Sequence, residues 1–392
     1  MRGLAGIAAA AVAALLLALP APAGADAPGV VSERPLAGSG SVQDVRRFWT
    51  PERMSRAAGR PAPEVSGAGV ETIAGTSASS RAGAAAVEQP NTTVFPNRVV
   101  GRIFFTIPGQ SGLFSCSGAV INTDADSFVL TASHCVFEDG DFFTNVNFVP
   151  GYRLGQSPFG EFPATQLDVP AVVANSPQLP FAFDHGSMLV APTPSGSRVE
   201  EVVGAFGVSL FGDPEQNWRA YGYPAEDGFD GERLFTCDSP PTTFDLQLDP
   251  PPIGISCDMT GGASGGPWLI QGTNLVGSNS SFVAENVPDT LFGSQLADGA
   301  AELFDSAHPI RCGGKPATIV GTEGPDRLVG SRAKDVILGD LGDDVIIGKG
   351  GKDKLCGEEG RDKIKAGKGK DFCDGGPGKD RGGGGCEKTK RL

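Results

Sequence analysis

A serine hydroxyl attacks usefully at neutral pH only when a base stands beside it, most often a histidine held by a carboxylate. Three histidines occur in the chain, so the choice of base is narrow. His134 sits in Thr131-Ala132-Ser133-His134-Cys135, directly after the strand-like Phe128–Leu130. Cys116-Ser117-Gly118 opens another strand upstream, so a Cys116–Cys135 disulfide would pin the loop that carries the histidine. Ser264 stands in Gly261-Gly262-Ala263-Ser264-Gly265-Gly266-Pro267. The glycines let the backbone turn sharply, exposing the hydroxyl and aiming the amides of Gly262 and Ser264 at one spot. Two such donors stabilise the oxyanion of a tetrahedral intermediate, often the largest single catalytic contribution.

Groups of this kind need a rigid frame. From about Val99 to His308, short runs such as Val99–Ile107, Ser127–Thr131, Ser187–Val190, Trp218–Tyr221 and Asn274–Gly277 are bounded by Gly, Pro, Asn and Asp. No long run keeps a helical period, which predicts an all-β barrel or sandwich of roughly two hundred residues. Residues 26–94 are rich in Ala, Gly, Pro, Ser and Glu and cannot fold alone. They read as a pro-segment removed on maturation or as a disordered linker, with one short helix expected where Thr50 precedes Pro51. Met1-Arg2, the apolar Leu4–Leu19 and Ala23-Gly24-Ala25 form a signal peptide over residues 1–25, which predicts secretion. The apolar run is short for a membrane span, and no later stretch could cross a bilayer. Outside the cell the eight cysteines are expected to pair.

The net charge of −14 argues against a nucleic-acid partner. That charge is unevenly spread. From Cys312 onward there are 17 basic and 14 acidic residues, net +3, against 15 and 32 before it, net −17. Every lysine lies at or after Lys315, so a domain boundary falls near residue 311. The tail beyond it is a repeat. Glycines 321, 330, 339, 348 and 357 recur every nine residues, and Ala366 and Gly375 continue the count. Five residues after each comes an aspartate: Asp326, Asp335, Asp344, Asp353, Asp362, Asp371 and Asp380. Two further on stand Leu328, Ile337, Ile346, Leu355, Ile364 and Cys373.

The segments TASHC, FDHGSMLV and GGASGGPW, in that order, resemble the trypsin-like serine peptidases, and among them the secreted bacterial branch that includes the glutamyl endopeptidases. The resemblance spans residues 95–310 and implies a double β-barrel that hydrolyses protein or peptide substrates without a catalytic cofactor. It makes His134 the general base, Ser264 the nucleophile, and Gly262 with Ser264 the oxyanion hole. Asp184, before the apolar Met188–Val190, would orient His134, with Asp168 as the alternative carboxylate; His185 and His308 read as surface or loop residues. Asp258, six residues before Ser264, falls where relatives hold a carboxylate selective for Lys or Arg, although it also reads as a turn aspartate. Cys257 is displaced from the relatives' cysteine in that loop and is expected to pair with Cys237. Gly277 and Ser278 fall in a stretch that resembles the edge strand to which extended substrate adds. Ala263 replaces the aspartate that binds the freed N-terminus in trypsin-type activation.

Residues 311–392 resemble the calcium-binding β-roll repeats of secreted bacterial proteins, G-G-x-G-x-D-x-U-x. This implies Ca²⁺ held by the seven repeat aspartates and a narrow core filled by the U residues. Alternate repeats should share a side: Asp326, Asp344, Asp362 and Asp380 on one edge, Asp335, Asp353 and Asp371 on the other. Cys312, Cys356, Cys373 and Cys386 leave three pairings open. The expected fold is therefore all-β, a double barrel followed by a parallel β-roll. Its function is that of a secreted serine endopeptidase with an appended module that staples the fold or binds a surface or matrix. The alternative is a non-catalytic calcium-binding adhesion or matrix protein on a peptidase-like barrel. An esterase with the same triad is disfavoured by the β-rich texture and the His-Asp-Ser order.

Overall fold

The computed structural model describes residues 29–35, 40–65, 69–73, 85–125, 127–176, 178–284, 287–307 and 310–391. The expected signal peptide and His308 lie outside these residues. Among the described residues, no helix is long and apolar enough to cross a membrane.

The first barrel is built from Val100–Thr106, Phe114–Val120, Phe128–Thr131, Thr144–Pro150, Phe162–Pro170 and Gly186–Val190. It closes because Phe162–Pro170 pairs antiparallel with Thr144–Pro150 on one side and Gly186–Val190 on the other. Ile103, Val120, Val129, Phe148, Leu167 and Met188 are fully buried in and around it. Burying each such side chain contributes about 1.5–3 kcal/mol. The second barrel uses Trp218–Gly222, Phe235–Ser239, Ile253–Ser256, Pro267–Ile270, Leu275–Ala284 and Thr290–Gln295 around Trp218, Trp268, Ile253 and Ile255. Disulfides Cys116–Cys135 and Cys237–Cys257 brace the two barrels, as expected from the sequence.

The segment before Val99 does not stand alone; it is laid over the barrels. Val30–Glu33 adds an antiparallel strand to Phe162–Pro170. A helix at Val42–Phe48 starts with a Ser41–Asp44 capping box, and the expected short helix forms at Pro51–Ser55. Thr50 caps it by accepting the Arg53 N–H at 3.3 Å. Trp49 and Met54 are buried, and the Trp49 indole donates to the Asn145 carbonyl at 2.5 Å. Buried Arg102 reaches the Ala57 carbonyl at 2.7 Å and Glu232 at 2.8 Å. A few large side chains thus dock a segment too polar to make its own core.

The tail is a parallel β-roll. One sheet stacks Ile319–Val320, Val336–Leu341, Lys354–Glu359, Asp371–Asp374 and Cys386–Lys390. The other stacks Arg327–Val329, Val345–Ile347, Lys363–Lys365 and Arg381–Gly383. Partners are eighteen residues apart, as Ile337 is from Leu355, because the chain reverses every nine; only the last strand is shifted, with Cys373 opposite Thr389. Leu328, Ile337, Ile346, Leu355, Ile364 and Cys373 fill the core between the sheets. Of the three pairings open in the tail, the structure contains Cys312–Cys356 and Cys373–Cys386. Ile319–Val320 also pairs with Gly207–Ser209, so the roll continues a sheet of the second barrel. Ile346 is fully buried in this core, so Ile346→Ala should lower the stability of the roll by about 2–5 kcal/mol, read from its denaturant unfolding transition.

Candidate functional site

The turn 261–266 is wedged between the barrels. Gly262 adopts φ +93° and Gly265 φ +78°, conformations that a side chain disfavours. A Cβ on Gly265 would lie 2.7 Å from the Ala132 nitrogen, so only glycine lets the turn approach the histidine strand this closely. The Ser117 N–H donates to the Ser264 carbonyl at 2.8 Å, and the Ser117 hydroxyl to the Gly262 carbonyl at 2.8 Å. The Gly265 N–H donates to the Ser280 carbonyl at 2.8 Å. Both barrels therefore hold the turn.

His134 lies on a single helical turn, Ser133–Cys135, fixed by the Cys116–Cys135 disulfide. Cys135 Sγ is 3.6 Å from the Ser264 carbonyl oxygen, which brings the two motifs together. His134 Nδ1 is 2.8 Å from Asp184 Oδ2. Asp184 is fully buried and also accepts from the Ser133 hydroxyl at 2.6 Å, the His134 N–H at 3.2 Å and the Ser281 hydroxyl at 2.6 Å. His134 Nε2 and Ser264 Oγ are buried without a hydrogen-bond partner among the described residues.

Asp168 does not meet His134. It accepts from Ser32 and Gln166, and burial pushes its carboxyl up. His185 lies in the loop before Gly186–Val190, as read from the sequence, but it is buried rather than on the surface. Its Nδ1 is 2.7 Å from Asn279 Oδ1 and its Nε2 3.0 Å from the Gln295 carbonyl, while Asn279 Nδ2 donates to the Asp184 carbonyl at 3.1 Å. Asp258 is taken by the chain itself, accepting the Ala86 N–H at 2.7 Å. Gly277 and Ser278 correct the expectation of a substrate edge. Ser278 is buried and paired on both sides, with Trp268 and with Gln295, so no strand can be added there. The open edge lies further along the same strand, at Val283–Ala284, where residues 64–65 pair. Ser133, Ser281 and Asn279 are invisible as partners in the sequence, because serine and asparagine in a β-rich chain carry no spacing signal of their own.

A second constellation lies in the roll. Asp344 Oδ1 accepts the Asp326 N–H at 2.8 Å, and Asp362 and Asp380 repeat this eighteen and thirty-six residues later. Asp353 and Asp371 do the same on the other edge. The second carboxylate oxygens of Asp344, Asp353, Asp362, Asp371 and Asp380 are buried and have no partner among the described residues. Those of Asp344, Asp353, Asp362 and Asp380 face the glycine of their own repeat and a carbonyl of the next turn. A Cβ on Gly348 would meet Asp353 Oδ2 at 2.7 Å and the Ala366 carbonyl, and one on Gly357 would meet Asp362 Oδ2 and the Gly375 carbonyl at 2.6 Å. Orphaned carboxylate oxygens converging with carbonyls are the donor set of a hard cation, so the residues fit calcium. Asp326 and Asp335 differ, because Thr322 and Ser331 donate to their second oxygens. Burial first, then neighbouring carboxylates, push Asp344 up to about 7 and Asp353 and Asp362 to about 6.

Residues 320–355 and 347–381 match the RTX calcium-binding nonapeptide repeat. No curated protein matches the chain. Among solved structures, protease Anisep from Arthrobacter nicotinovorans is 31% identical, with 56% of this chain and 99% of that one covered and a TM-score of 0.51. The chain belongs to the trypsin-like serine protease family. The thermostable serine protease AL20 from an extremophilic microorganism is also 31% identical, over 54% of this chain and 96% of that one, with a TM-score of 0.49. A Glu endopeptidase is 18% identical over 57% and 95%, with a TM-score of 0.45.

In this protease fold the Asp184 charge is affordable only through its donors. Burial would raise its carboxyl, but His134, Ser133 and Ser281 outweigh it and hold it at about 2. A depressed carboxyl contributes stability above its unfolded value and loses it as pH falls through the folded one. That contribution should be complete above about pH 4 and vanish as the pH falls towards 2. In acid unfolding followed by circular dichroism, Asp184→Asn should therefore show a shallower stability loss across this window than wild type.

Proposed function

We propose that the chain is a secreted serine endopeptidase that cleaves peptide bonds through an acyl-enzyme on Ser264, with a calcium-binding roll appended. The reading rests on the 2.8 Å bond between His134 and a fully buried Asp184, and on a Ser264 hydroxyl and a His134 Nε2 that are both buried and make no hydrogen bond among the described residues. In this reading His134 Nε2 takes the proton of Ser264 as Oγ bonds to the substrate carbonyl carbon. The N–H groups of Gly262 and Ser264 receive the negative charge that develops on the carbonyl oxygen. The C–N bond then breaks as His134 returns the proton to the leaving amine, and a water activated by the same base releases the acyl group. Asp184 stays ionised and keeps the Nδ1 proton on its own side of the ring. Residues 26–94 act as a pro-segment, residues 95–310 as the peptidase and residues 311–392 as the roll.

Calcium supplies positive charge to the stacked turns when bound, and the orphaned oxygens of Asp344, Asp353, Asp362, Asp371 and Asp380 would hold it. Four disulfides and the repeat match support an extracellular setting, where both thiol oxidation and calcium are available.

Labelling by a serine-directed fluorophosphonate tests the catalytic reading. The processed protein should label and Ser264→Ala should not; absence of labelling in folded, processed protein would favour the non-catalytic adhesion reading. Asp184→Asn should lower kcat by roughly 10⁴ with the fold intact. For the roll, raised carboxyls make the metal-free state lose stability as pH rises through about 6 to about 7. Melting in chelator should therefore fall between about pH 4 and about pH 7, and excess calcium should abolish that fall. A melting curve in chelator that does not move with pH would count against ligation by these aspartates.

A further inference from the structure

The chain's own N-terminal segment lies across the candidate active site. Residues 58–60 run beside Phe114–Val120, with the Ala58 N–H on the Leu113 carbonyl at 2.9 Å and the Arg60 N–H on the Ser115 carbonyl at 2.8 Å. The Gly262 N–H, half of the oxyanion site, donates to the Arg60 carbonyl at 2.9 Å. Beyond it, the Val283 N–H donates to the Pro63 carbonyl at 3.2 Å, and residues 64–65 continue along Val283–Ala284. The Arg60 guanidinium pairs with Glu138 and lies over the Phe143 ring. Arg60, Pro63, His134, Phe137, Glu138 and Leu179 line what is left of the cleft.

The direction of this segment is the informative feature. It is parallel to both strands it touches. His134 returns a proton to the leaving amine, so the departing C-terminal half of a substrate lies on the His134 side. That is the side of Phe114–Val120, tied to the histidine turn by Cys116–Cys135. The acyl half must then lie on the Val283 side. The segment has its earlier residues on the His134 side and its later ones on the Val283 side, the reverse of a substrate. Its backbone can fill the oxyanion site, but the nitrogen after Arg60 heads away from the proton donor. That nitrogen belongs to Pro61, so it is a tertiary amide as well.

We propose that residues 57–65 are an inhibitor built into the chain, docked backwards in the cleft so that they close it without being cut. The proposal rests on the peptidase reading above and specifies what the pro-segment does. Gly59 is the tightest point, since a Cβ there would lie 2.6 Å from the Ala225 Cβ and 3.0 Å from the Gly261 carbonyl. Upstream, Arg102 on the Ala57 carbonyl and buried Trp49 and Met54 hold the segment in place.

The test compares fluorophosphonate labelling of the full chain with that of full-length Gly59→Leu, whose side chain has no room against Ala225. The variant should label roughly tenfold faster or more, because the competent fraction rises. A synthetic peptide of residues 50–65 should slow the variant again and be recovered intact by mass spectrometry, which also shows that the variant is folded. Equal labelling of the two chains, or cleavage of the peptide within 57–65, would overturn the proposal. If neither chain labels, amide exchange at Gly262 separates the two ideas. Protection in wild type that is lost in Gly59→Leu upholds the docking and sinks the peptidase reading, whereas equal exchange sinks the docking.

Discussion

One fully buried carboxylate organises the double barrel. Asp184 keeps a negative charge at the junction of two β-barrels, where transfer from water costs several kcal/mol unless the charge is paired and hydrogen-bonded. The compensation comes from both sides: Ser133 and His134 from the first barrel, Ser281 from the second. Removing any donor leaves an unsatisfied charge, so the barrels are held in one relative placement by the same bonds that orient the imidazole. His185 and Asn279 extend this outward by fixing the Asp184 backbone. The frame around the site and its electrostatics are therefore one set of interactions.

Sequence made some of this legible and not the rest, for physical reasons. Glycine turns around Ser264 and the cysteine beside His134 are local requirements, and local requirements leave local signatures. The nine-residue repeat is legible for the same cause, since every turn solves the same steric problem with the same residues. Partners distant in sequence leave no such mark. Ser281 is ninety-seven residues from Asp184, and nothing in its own neighbourhood distinguishes it from Ser278 or Ser280. The motif puts the substrate edge at Gly277 and Ser278, but the strand is bulged between Ser280 and Phe282 and its open edge falls at Val283. Residues 26–94 defeat composition altogether. Their few large side chains are too sparse for a core, yet Trp49 and Met54 suffice to anchor a segment onto a core already made.

The roll shows the opposite balance between apolar and polar forces. Its apolar ladder is one residue wide, so it buries little area for the number of turns it holds. Against that stand carboxylates whose second oxygens point into the turns without partners. Thr322 and Ser331 neutralise the problem at Asp326 and Asp335 by supplying hydroxyl and amide donors. The later repeats put Asp340, Lys349, Glu358, Gly367 and Gly376 at the corresponding positions, none of which offers a hydroxyl. A repeat with a hydroxyl is thus self-sufficient, and a repeat without one demands an external cation. The disulfides Cys312–Cys356 and Cys373–Cys386 hold the stack together independently of either.

The three regions meet in a single strand. Leu275–Ala284 pairs with Gly207–Ser209, which pairs in turn with Ile319–Val320 at the start of the roll. The same strand carries Ser281 to Asp184 and offers Val283 to the N-terminal segment. Contiguity of this kind is not coupling, which requires an element with two arrangements that both ends bias. The barrel offers none here: Asp184 is over-determined, and the turn around Ser264 is gripped from both sides. The N-terminal segment is different. It adds by backbone bonds to two edges, crosses the cleft at a glycine, and is otherwise held by Trp49 and Met54 of its own and by Arg102 of the first barrel. It is the element of this fold that can leave without disturbing the charge on which the rest depends.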